Sequence, residues 1–476
     1  MRLGTLHTRG TFWLASCASL LVGLTACESI LEVDQGGIID TDDLAKAGPA
    51  AVPNIVAGVV GAFQDTFDDI VLYAALLSDE MIVAGSFDDD EEVDRRRIQP
   101  SNPVLTGGLY TLLHVARMQS DTAVALLQER LVDPAFDSVE VDMREGIALG
   151  KLYGGYSRLW MGELYCWSIL TGMYPEDAPI LPDSRIRQAR LLLQDAEGDA
   201  GPLGRHDVRL AAIVGQARAQ LWLRNYVEAA ALAAAVPRDF AFWSEYSYNH
   251  EEQFNEVYMF TWGDAAPIEW TVGDGTTFSQ GNERFEHIDQ FVALNLLDVE
   301  PEGYTAAVSS TPVILQKIYT RPDSRILMAS GIEARLIRAE GHVRAGETAE
   351  AEALLNDLRA DYSLRAIVQW GVEPPAAADE LLPLTLTGSL RLDLKTVADE
   401  RARELWLTGD RFTTSRRLRR DATVYPDTIN LFPAPKVGVD GGDDVAFPIA
   451  ELELTQNPNL GPSQACPTGQ TIGRWR

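Results

Sequence analysis

The sequence predicts a protein dominated by α-helices, built as a helical repeat scaffold with irregular, loop-rich insertions and a loop-rich C-terminal segment. Apolar residues recur at three- and four-residue spacing over long stretches, which is the pattern of amphipathic helices. Two pairs of such stretches are rich in alanine, and a short turn separates the two members of each pair. Between these pairs, the segment 240–304 lacks sustained helical periodicity. The periodic stretches before the first alanine-rich pair are residues 52–77, 105–131 and 143–170.

The most regular helix pair is predicted between Val208 and Val236. Small residues on the first helix, an aromatic residue at the turn and alanines on the second helix resemble the tetratricopeptide pattern. Alanine allows antiparallel helices to approach closely, and the aromatic ring fills the gap where they diverge. Pro237 ends the second helix. The positions that form the pattern are Ala212, Ala217, Ala219, Leu221, Tyr226, Ala229 and Ala233.

A second pair follows the same scheme. Glu333 to Ala345 is predicted as one helix that ends at Gly346, and Thr348 to Tyr362 as the next, with Thr348 as the N-cap. A further amphipathic helix is predicted over 390–407. The pattern alone leaves open the alternative that both pairs are ordinary helical hairpins outside any repeat.

Three segments lack a helical pattern. Segment 240–304 is rich in aromatic residues and glycine, and long irregular segments of this kind are usually functional or disordered. Its aromatic residues argue against disorder. The acidic run from Asp88 to Asp94 could bind calcium, because clustered carboxylates suit this cation. Because the run lacks the EF-hand spacing, we predict a solvated loop instead. The loop-rich C-terminal segment, 421–476, contains many Pro and Gly residues and no repeat.

The N-terminus reads as a secretory signal that ends in a lipid-attachment site. A basic start precedes an uncharged apolar stretch from Thr11 to Leu24, and Leu24-Thr25-Ala26-Cys27 resembles the bacterial lipobox. We therefore predict a signal peptide over 1–26, lipidation at Cys27, an acidic tether over 27–48 and a single helical repeat domain over 49–476. A plain signal peptide with an incidental cysteine is the alternative.

Charge and cysteine content limit the function classes. The chain carries 40 Lys and Arg residues against 70 Asp and Glu residues, a formal net charge of −30. A surface of this charge repels phosphate backbones, which argues against nucleic-acid binding. Cys166 and Cys466 remain after Cys17 is removed and Cys27 is modified. They could form a disulfide, or Cys166 could be buried as a small apolar residue.

The sequence shows no catalytic motif. It contains no phosphate-binding loop, no Gly-x-Ser-x-Gly elbow and no His-Glu-x-x-His spacing, so we predict a protein that is not an enzyme and that needs no cofactor or metal. Because sugars pack their apolar faces on flat rings, the aromatic residues of 240–304 are the best candidates for ligand contacts. We predict Trp262 and Trp270, which flank a Gly/Pro-rich stretch, with Asn282 and Arg284 as polar partners. The remaining aromatic candidates are Trp243, Tyr246, Tyr248, Phe278 and Phe285.

Several motifs, in order along the chain, resemble the SusD/RagB family of nutrient-binding outer-membrane lipoproteins. They are the lipobox, Leu76-Leu77-Ser78-Asp79-Glu80, the helix pair over 334–341 and 355–359, Glu400-Arg401-Ala402-Arg403-Glu404-Leu405 with Gly409, Arg411 and Arg417, and the closing Phe447-Pro448-Ile449 with 457–460. Ala402, Thr408 and Thr414 depart from the family pattern, so the resemblance is to a divergent member.

The four charged residues Glu400, Arg401, Glu404 and Arg411 make better sense as structure than as catalysis. Glu400 and Glu404 share a helix face, with arginines available nearby, and buried charges persist only when they are paired. We therefore predict that they brace the C-terminal segment against the repeats.

The resemblance implies capture of an oligosaccharide or peptide nutrient for a SusC-like TonB-dependent transporter at the outer membrane, with the cell surface favoured over the periplasmic face. The alternative function is a tetratricopeptide-type scaffold lipoprotein that binds other envelope proteins. A carbohydrate-active enzyme is the third hypothesis, and it would require two essential carboxylates in one cleft.

Overall fold

The computed structural model describes residues 48–78, 80–85, 87–166, 180–262, 270–272, 297–298, 313–361, 381–421 and 444–459. These residues form thirteen α-helices and three two-stranded sheets, which confirms the predicted fold class. Residues Met1–Ala51 and Val52–Arg476 are separate compact units. Among the described helices, none combines the length and the apolar composition that a membrane span requires.

The helices before the first alanine-rich pair are α1 (Val52–Leu77), α2 (Asp88–Asp94), α3 (Tyr110–Arg130), α4 (Glu140–Leu164) and α5 (Pro182–Ala200). They are followed by α6 (His206–Trp222), α7 (Tyr226–Ala233), α8 (Glu256–Thr261), α9 (Gly331–Ala345), α10 (Thr348–Arg359), α11 (Leu390–Glu404), α12 (Asp410–Arg419) and α13 (Glu451–Gln456). The strands are β1 (Met81–Val83), β2 (Ala241–Ser244), β3 (Trp270–Val272), β4 (Leu297–Asp298), β5 (Leu315–Gln316) and β6 (Ile326–Ser330).

The long helices stack in chain order. Helix α4 packs between α3 and α5, α6 packs between α5 and α7, and α9 packs against α7, α10 and α11. The predicted alanine positions lie at these contacts: Ala217, Ala229 and Ala233 form a small buried cluster with Ala334 and Ile337 of α9. The two predicted helix pairs are therefore adjacent and share a close-packed alanine interface, as expected of a repeat scaffold.

The second helix pair has the predicted turn but a different cap. Gly346 ends α9 in the left-handed conformation, with φ of 77°, which glycine adopts without strain. Thr348 is the first helical residue of α10, and the N-cap position is held by Glu347, whose side chain makes no capping hydrogen bond. The prediction that Thr348 caps the helix is therefore wrong.

Two segments that were predicted to be irregular contain regular structure. The acidic run forms α2, in which Asp90, Val93 and Asp94 are buried, so the predicted solvated loop is wrong. One Asp94 carboxylate oxygen accepts a hydrogen bond from the Val83 amide at 3.0 Å, which ties α2 to β1. Among the described residues, no group of acids, histidines or cysteines has the arrangement of a metal site.

The described part of segment 240–304 contains α8, β2, β3 and β4. β2 pairs antiparallel with β6, and β3 pairs antiparallel with β1, so both partners lie far away in the sequence. Because a strand pair of this kind leaves no local periodicity, the sequence showed only an irregular segment.

Candidate ligand-binding face

Helix α8 lies within segment 240–304 and holds some of its aromatic residues. It packs against α1, and the Asn255 side chain caps its start by accepting a hydrogen bond from the Tyr258 amide at 3.1 Å. Asp68 of α1 accepts another from the Glu256 amide at 2.9 Å. Two side chains therefore satisfy amides that a helix start leaves free, and they fix this short helix on the first one.

Asp68 and Asp69 form an acidic pair next to the start of α8. Burial raises the pKa of both carboxyl groups and neighbouring carboxylates raise it further, to about 8 for Asp69. Glu256 and Asp65 belong to the same cluster, and burial followed by charge repulsion raises their pKa as well. At neutral pH the pair therefore retains a proton, so it can donate hydrogen bonds as well as accept them.

The predicted ligand contacts Trp262 and Trp270 both lie beside α8. Trp262 follows the last residue of the helix and is half-buried, and its indole N–H donates a hydrogen bond to the Gln316 carbonyl at 2.5 Å. Trp270 begins β3, opposite Val83, and β3 lies against α8. The polar edge of Trp262 is thus occupied by main chain, which leaves the ring surface as its means of contacting a ligand.

The other predicted site residues lie outside the described part of the chain. These are Asn282 and Arg284, the polar partners of the tryptophans, and Cys27, the lipidation site. Their roles stay predictions.

An aromatic–arginine patch is formed by Trp243 and Tyr248, which precede α8 in the chain, and by Arg321 and Arg325, which follow it. The Arg325 guanidinium lies 4.2 Å from the centre of the Trp243 ring, and the Arg321 guanidinium lies 5.6 Å from the centre of the Tyr248 ring. Tyr248 is 54% exposed, with its ring edge-on to Phe254 at 6.1 Å. An exposed tyrosine and a half-buried tryptophan, each flanked by a planar donor, suit a ligand that has both an apolar face and hydroxyl groups.

The pairing of β2 with β6 brings the two halves of this patch together. Trp243 lies opposite Leu327 in the ladder, so Arg325 lies next to it, and Asp323 holds Arg321 through two hydrogen bonds of 2.8 and 2.9 Å. The sequence analysis included the two aromatic residues but missed both arginines. No local signal marks them, because the contact depends on a strand pair that spans about eighty residues of sequence.

The signature residue Arg401 lies in a buried charge cluster between α9, α11 and α12. Its guanidinium pairs with Asp410, donates a hydrogen bond to the Thr414 hydroxyl at 3.2 Å, and lies 4.0 Å from Glu333. Thr414 stands where the SusD/RagB pattern has aspartate, so this departure keeps a polar contact to the arginine.

Glu400 faces a different set of partners. It pairs with Arg359 of α10 at 2.7 Å and with Arg403 of its own helix. Glu404 and Arg411 are also buried. The four signature residues therefore lie in the interior, and the ion pairs of Glu400 and Arg401 join α9 and α10 to α11 and α12.

Two further ion pairs of this network were missed by the sequence analysis. Arg218 of α6 makes a two-pronged pair with Glu163 of α4 and lies 4.0 Å from the centre of the Trp160 ring. Arg417 makes another with Glu340, at 2.8 and 2.7 Å. These two ion pairs join residues of four different helices, α4, α6, α9 and α12. The helical periodicity within each helix does not predict which residues pair between helices.

The motif Leu-Leu-Ser-Asp-Glu has a structural role in the fold. Helix α1 ends within it, and buried Glu80 accepts a hydrogen bond from the Leu407 amide at 3.1 Å, in the turn between α11 and α12. The Tyr319 hydroxyl donates to the Leu407 carbonyl at 2.9 Å. The backbone N–H and C=O groups of Leu407 therefore both bond to side chains that lie far away in the sequence.

The closing motif is anchored at the end of α4. Phe447 donates its amide to the Leu164 carbonyl at 2.9 Å, and its ring stacks on Phe412 at 5.3 Å. Cys166 is fully buried. It is disulfide-bonded, with a partner outside the described residues. The sequence left burial and disulfide formation open as alternatives for Cys166, and both apply to it. Pairing with Cys466 stays one alternative that the sequence raised.

Comparison with known proteins identifies the fold. No model of a known protein family matches the chain, and no curated protein matches it in sequence. A SusD superfamily protein from Bacteroides thetaiotaomicron is similar in structure, with a TM-score of 0.64 at 14% identity, over 88% of this chain and 100% of that one. Surface glycan-binding protein A from Bacteroides uniformis gives 0.58 at 13% identity, over 86% and 98%. A laminarin-binding SusD-like protein gives 0.55 at 15% identity, over 85% and 99%. The chain therefore has a divergent SusD-like fold, which confirms the fold that the motifs implied.

Proposed function

We propose that this protein is a lipid-anchored outer-membrane binding protein that captures oligosaccharides and passes them to a SusC-like TonB-dependent transporter. The observation that carries the proposal is the similarity of fold to SusD-like proteins over almost the whole of their length, two of which are described as binding glycans or laminarin. The predicted lipobox at Cys27 supports the anchor, and the cell surface is the side on which such capture is useful.

The face around α8 is the proposed contact surface for the sugar. Trp262 and Trp270 lie beside this helix, and the aromatic–arginine patch joins residues from both sides of it in the chain. Rings would pack on the C–H face of a sugar, and Arg321 and Arg325 would donate hydrogen bonds to its hydroxyl groups. Asn282 and Arg284 remain the proposed additional polar contacts.

Glycan retention tests this proposal directly. The full-length protein would be run through gels that contain laminarin, starch or xylan, with release of reducing sugar measured in parallel. We expect retention by at least one glycan, without turnover. Tyr248→Ala and Arg321→Ala should each weaken binding roughly tenfold, which corresponds to about 1.4 kcal/mol. Steady release of sugar would instead favour the enzyme hypothesis.

A matched control is available on a repeat helix. Tyr226 of α7 also has an arginine over its ring, with the Arg344 guanidinium 3.8 Å from the ring centre. Tyr226→Ala should leave glycan retention unchanged. Equal losses for Tyr226→Ala and Tyr248→Ala would remove the α8 face from the proposal.

The transporter partner is tested by purification of the native lipidated protein from solubilised outer membranes. We expect a TonB-dependent barrel to copurify in stoichiometric amount, and Cys27→Ser to release the protein from the membrane fraction. Recovery of envelope assembly factors without a barrel would overturn this proposal in favour of the scaffold function.

A further inference from the structure

A cavity lies apart from α8, between the start of α3 and helix α13. It has a volume of about 390 Å³. Its walls come from the turn of π-helix Pro103–Leu109, from the first three turns of α3, and from the residues around Glu451. The size is within the range of small-molecule sites in proteins, roughly 300–1,000 Å³.

Two buried polar side chains in the cavity wall have no hydrogen-bond partner among the residues that the structure describes. His114 is 6% exposed and Tyr110 is 5% exposed. Within the described part of the chain, neither ring nitrogen of His114 has a hydrogen-bond partner, and neither does the hydroxyl of Tyr110. The rings themselves are in contact, with centres 4.5 Å apart. Since more than about 90% of buried polar groups are hydrogen-bonded, a pair of free ones beside a cavity points to a ligand that supplies the partners.

The charge around the cavity selects a neutral ligand. Burial lowers the pKa of His114 well below its usual value, and Arg117, Arg185 and Arg158 lower it further. The imidazole is therefore neutral at physiological pH and offers one donor and one acceptor. The positive charge of these arginines disfavours a cationic ligand next to His114. The negative charge of Glu451 and Glu453, in the opposite wall, disfavours an anionic ligand.

Much of the remaining wall is apolar and suits a ring. Pro100, Pro103, Val115, Met118 and Ala450 all line the cavity. Pyrrolidine rings, a thioether and short aliphatic groups pack well on the face of a six-membered ring. A polar group is needed only where His114 and Tyr110 lie.

We infer that this cavity is a second ligand-binding site, for a small neutral molecule that has one six-membered ring and at least one hydroxyl group. The hydroxyl bonds to His114, whose imidazole turns toward the cavity on binding, because its nitrogens are covered by protein in the structure described here. Two sources share this chemistry: an aromatic alcohol and a terminal sugar ring. The inference does not depend on glycan capture at the α8 face.

Calorimetric titration of the full-length protein tests the inference with p-cresol and methyl β-glucoside as probes. We expect at least one of them to bind with a Kd of about 1 mM or lower. Binding of p-cresol alone identifies an aromatic alcohol, and binding of the glucoside alone identifies a sugar ring. Benzoate and benzylamine, which carry opposite charges, should bind at least tenfold more weakly than the neutral probe. Absence of binding by both neutral probes, or equal binding of a charged one, overturns the inference.

Variants locate the binding in the cavity. His114→Phe keeps the ring but removes both nitrogens, and should weaken binding at least tenfold. Gly107 lines the cavity and has open space at its Cβ position, so Gly107→Leu should fill the cavity and abolish binding. Gly58→Leu is the matched control, because this exposed glycine of α1 also has open space, away from the cavity.

Histidine signals provide a readout that does not depend on affinity. In protein labelled with ¹⁵N-histidine, the resonance that His114→Phe removes belongs to His114, and the neutral probe should shift it. Thermal melting shows whether each variant is folded. Unchanged probe affinity in folded Gly107→Leu, or an unshifted His114 resonance at saturation, would contradict the assignment of this cavity.

Discussion

Glu340 shows how single residues stabilise the interior of this protein. Its carboxylate accepts two hydrogen bonds from Arg417, at 2.8 and 2.7 Å, and one from Arg344 at 3.0 Å. Burial alone would raise its pKa, but the two arginines outweigh burial and lower the pKa to about 2. The buried charge of Glu340 is therefore stable in the folded protein because Arg417 and Arg344 both pair with it.

We predict that Glu340→Gln destabilises the protein by about 3–5 kcal/mol, because Arg417 loses its counter-charge in a buried site. Urea denaturation at pH 7 would measure the change. Glu140→Gln is the control: Glu140 pairs with Arg144 at 2.8 Å, but both side chains are about half exposed, so the cost should stay below about 1 kcal/mol. Because the folded pKa of Glu340 is depressed, its contribution is present above about pH 4.5 and disappears as pH falls toward 2.

Asp69 predicts the opposite pH dependence. Its folded pKa is raised to about 8, first by burial and then by Glu256 and Asp65. A carboxyl group with a raised pKa favours the folded state below its unfolded pKa of about 4, and this contribution is lost as pH rises through 8. We therefore expect Asp69→Asn to raise the melting temperature more at pH 8 than at pH 4. An equal effect of the substitution on the melting temperature at the two pH values would contradict a raised pKa of Asp69 in the folded protein.

The signature residues illustrate what the sequence could predict at this scale. The spacing of Glu400 and Glu404 on one helix face led to the prediction that the four signature residues brace the C-terminal segment against the repeats. All four are buried, and the brace itself stays a prediction. The partners themselves were not predictable. Arg401 pairs with Asp410 across a turn, and Glu400 pairs with Arg359 of another helix, so the pairing depends on how helices pack.

At the scale of elements, the junction between β6 and α9 is closely packed around a glycine. Gly331 begins α9, and its amide donates a hydrogen bond to the Phe240 carbonyl at 2.9 Å. A Cβ atom added at Gly331 would lie 2.1 Å from the Pro237 carbonyl oxygen and 2.4 Å from that of Arg238. Both obstacles are main chain, so they cannot move aside as a flexible side chain could.

We predict that Gly331→Ala destabilises the protein by at least about 2 kcal/mol, because the added methyl group forces β2 and α9 apart. Gly58→Ala is the matched control. Its Cβ position in α1 is open, so this change should stabilise the helix by roughly 0.5–1 kcal/mol. Denaturant midpoints of the two variants would therefore move in opposite directions. A Gly331→Ala protein as stable as the parent would contradict the described junction.

Most long helices were predicted from local sequence, whereas the long helix α5, the strands and the short helices were not. The alanine spacing around Val208–Val236 corresponds to α6 and α7, and Gly346 ends α9 as expected. β2 was hidden because its partner, β6, follows about eighty residues later. The acidic helix α2 was hidden because its stability comes from tertiary contacts, such as that of Asp94 with β1, and from acids in its first turn.

At the scale of the whole molecule, fold similarity at 12–15% identity reflects the architecture of stacked helices. A repeat scaffold requires small residues at helix contacts and an apolar inner face, and many sequences satisfy this requirement. The proposed binding face is different in kind. Its aromatic residues and arginines lie in segments between the repeat pairs and in none of the motifs that resemble the family, so the resemblance identified the scaffold and did not identify these residues.

The net charge of −30 has a consequence for the stability of the whole chain. Like charges on a folded surface repel one another, and added salt screens exposed charges far more than buried pairs such as Arg417 and Glu340. We therefore expect the melting temperature at pH 7 to rise by a few degrees when sodium chloride increases from about 0.01 M to about 0.3 M. Glycerol at equal osmolality should produce a smaller change, since it does not screen charge. A melting temperature that falls with salt would mean that exposed ion pairs, such as Arg144 with Glu140, contribute more to stability than the net repulsion removes.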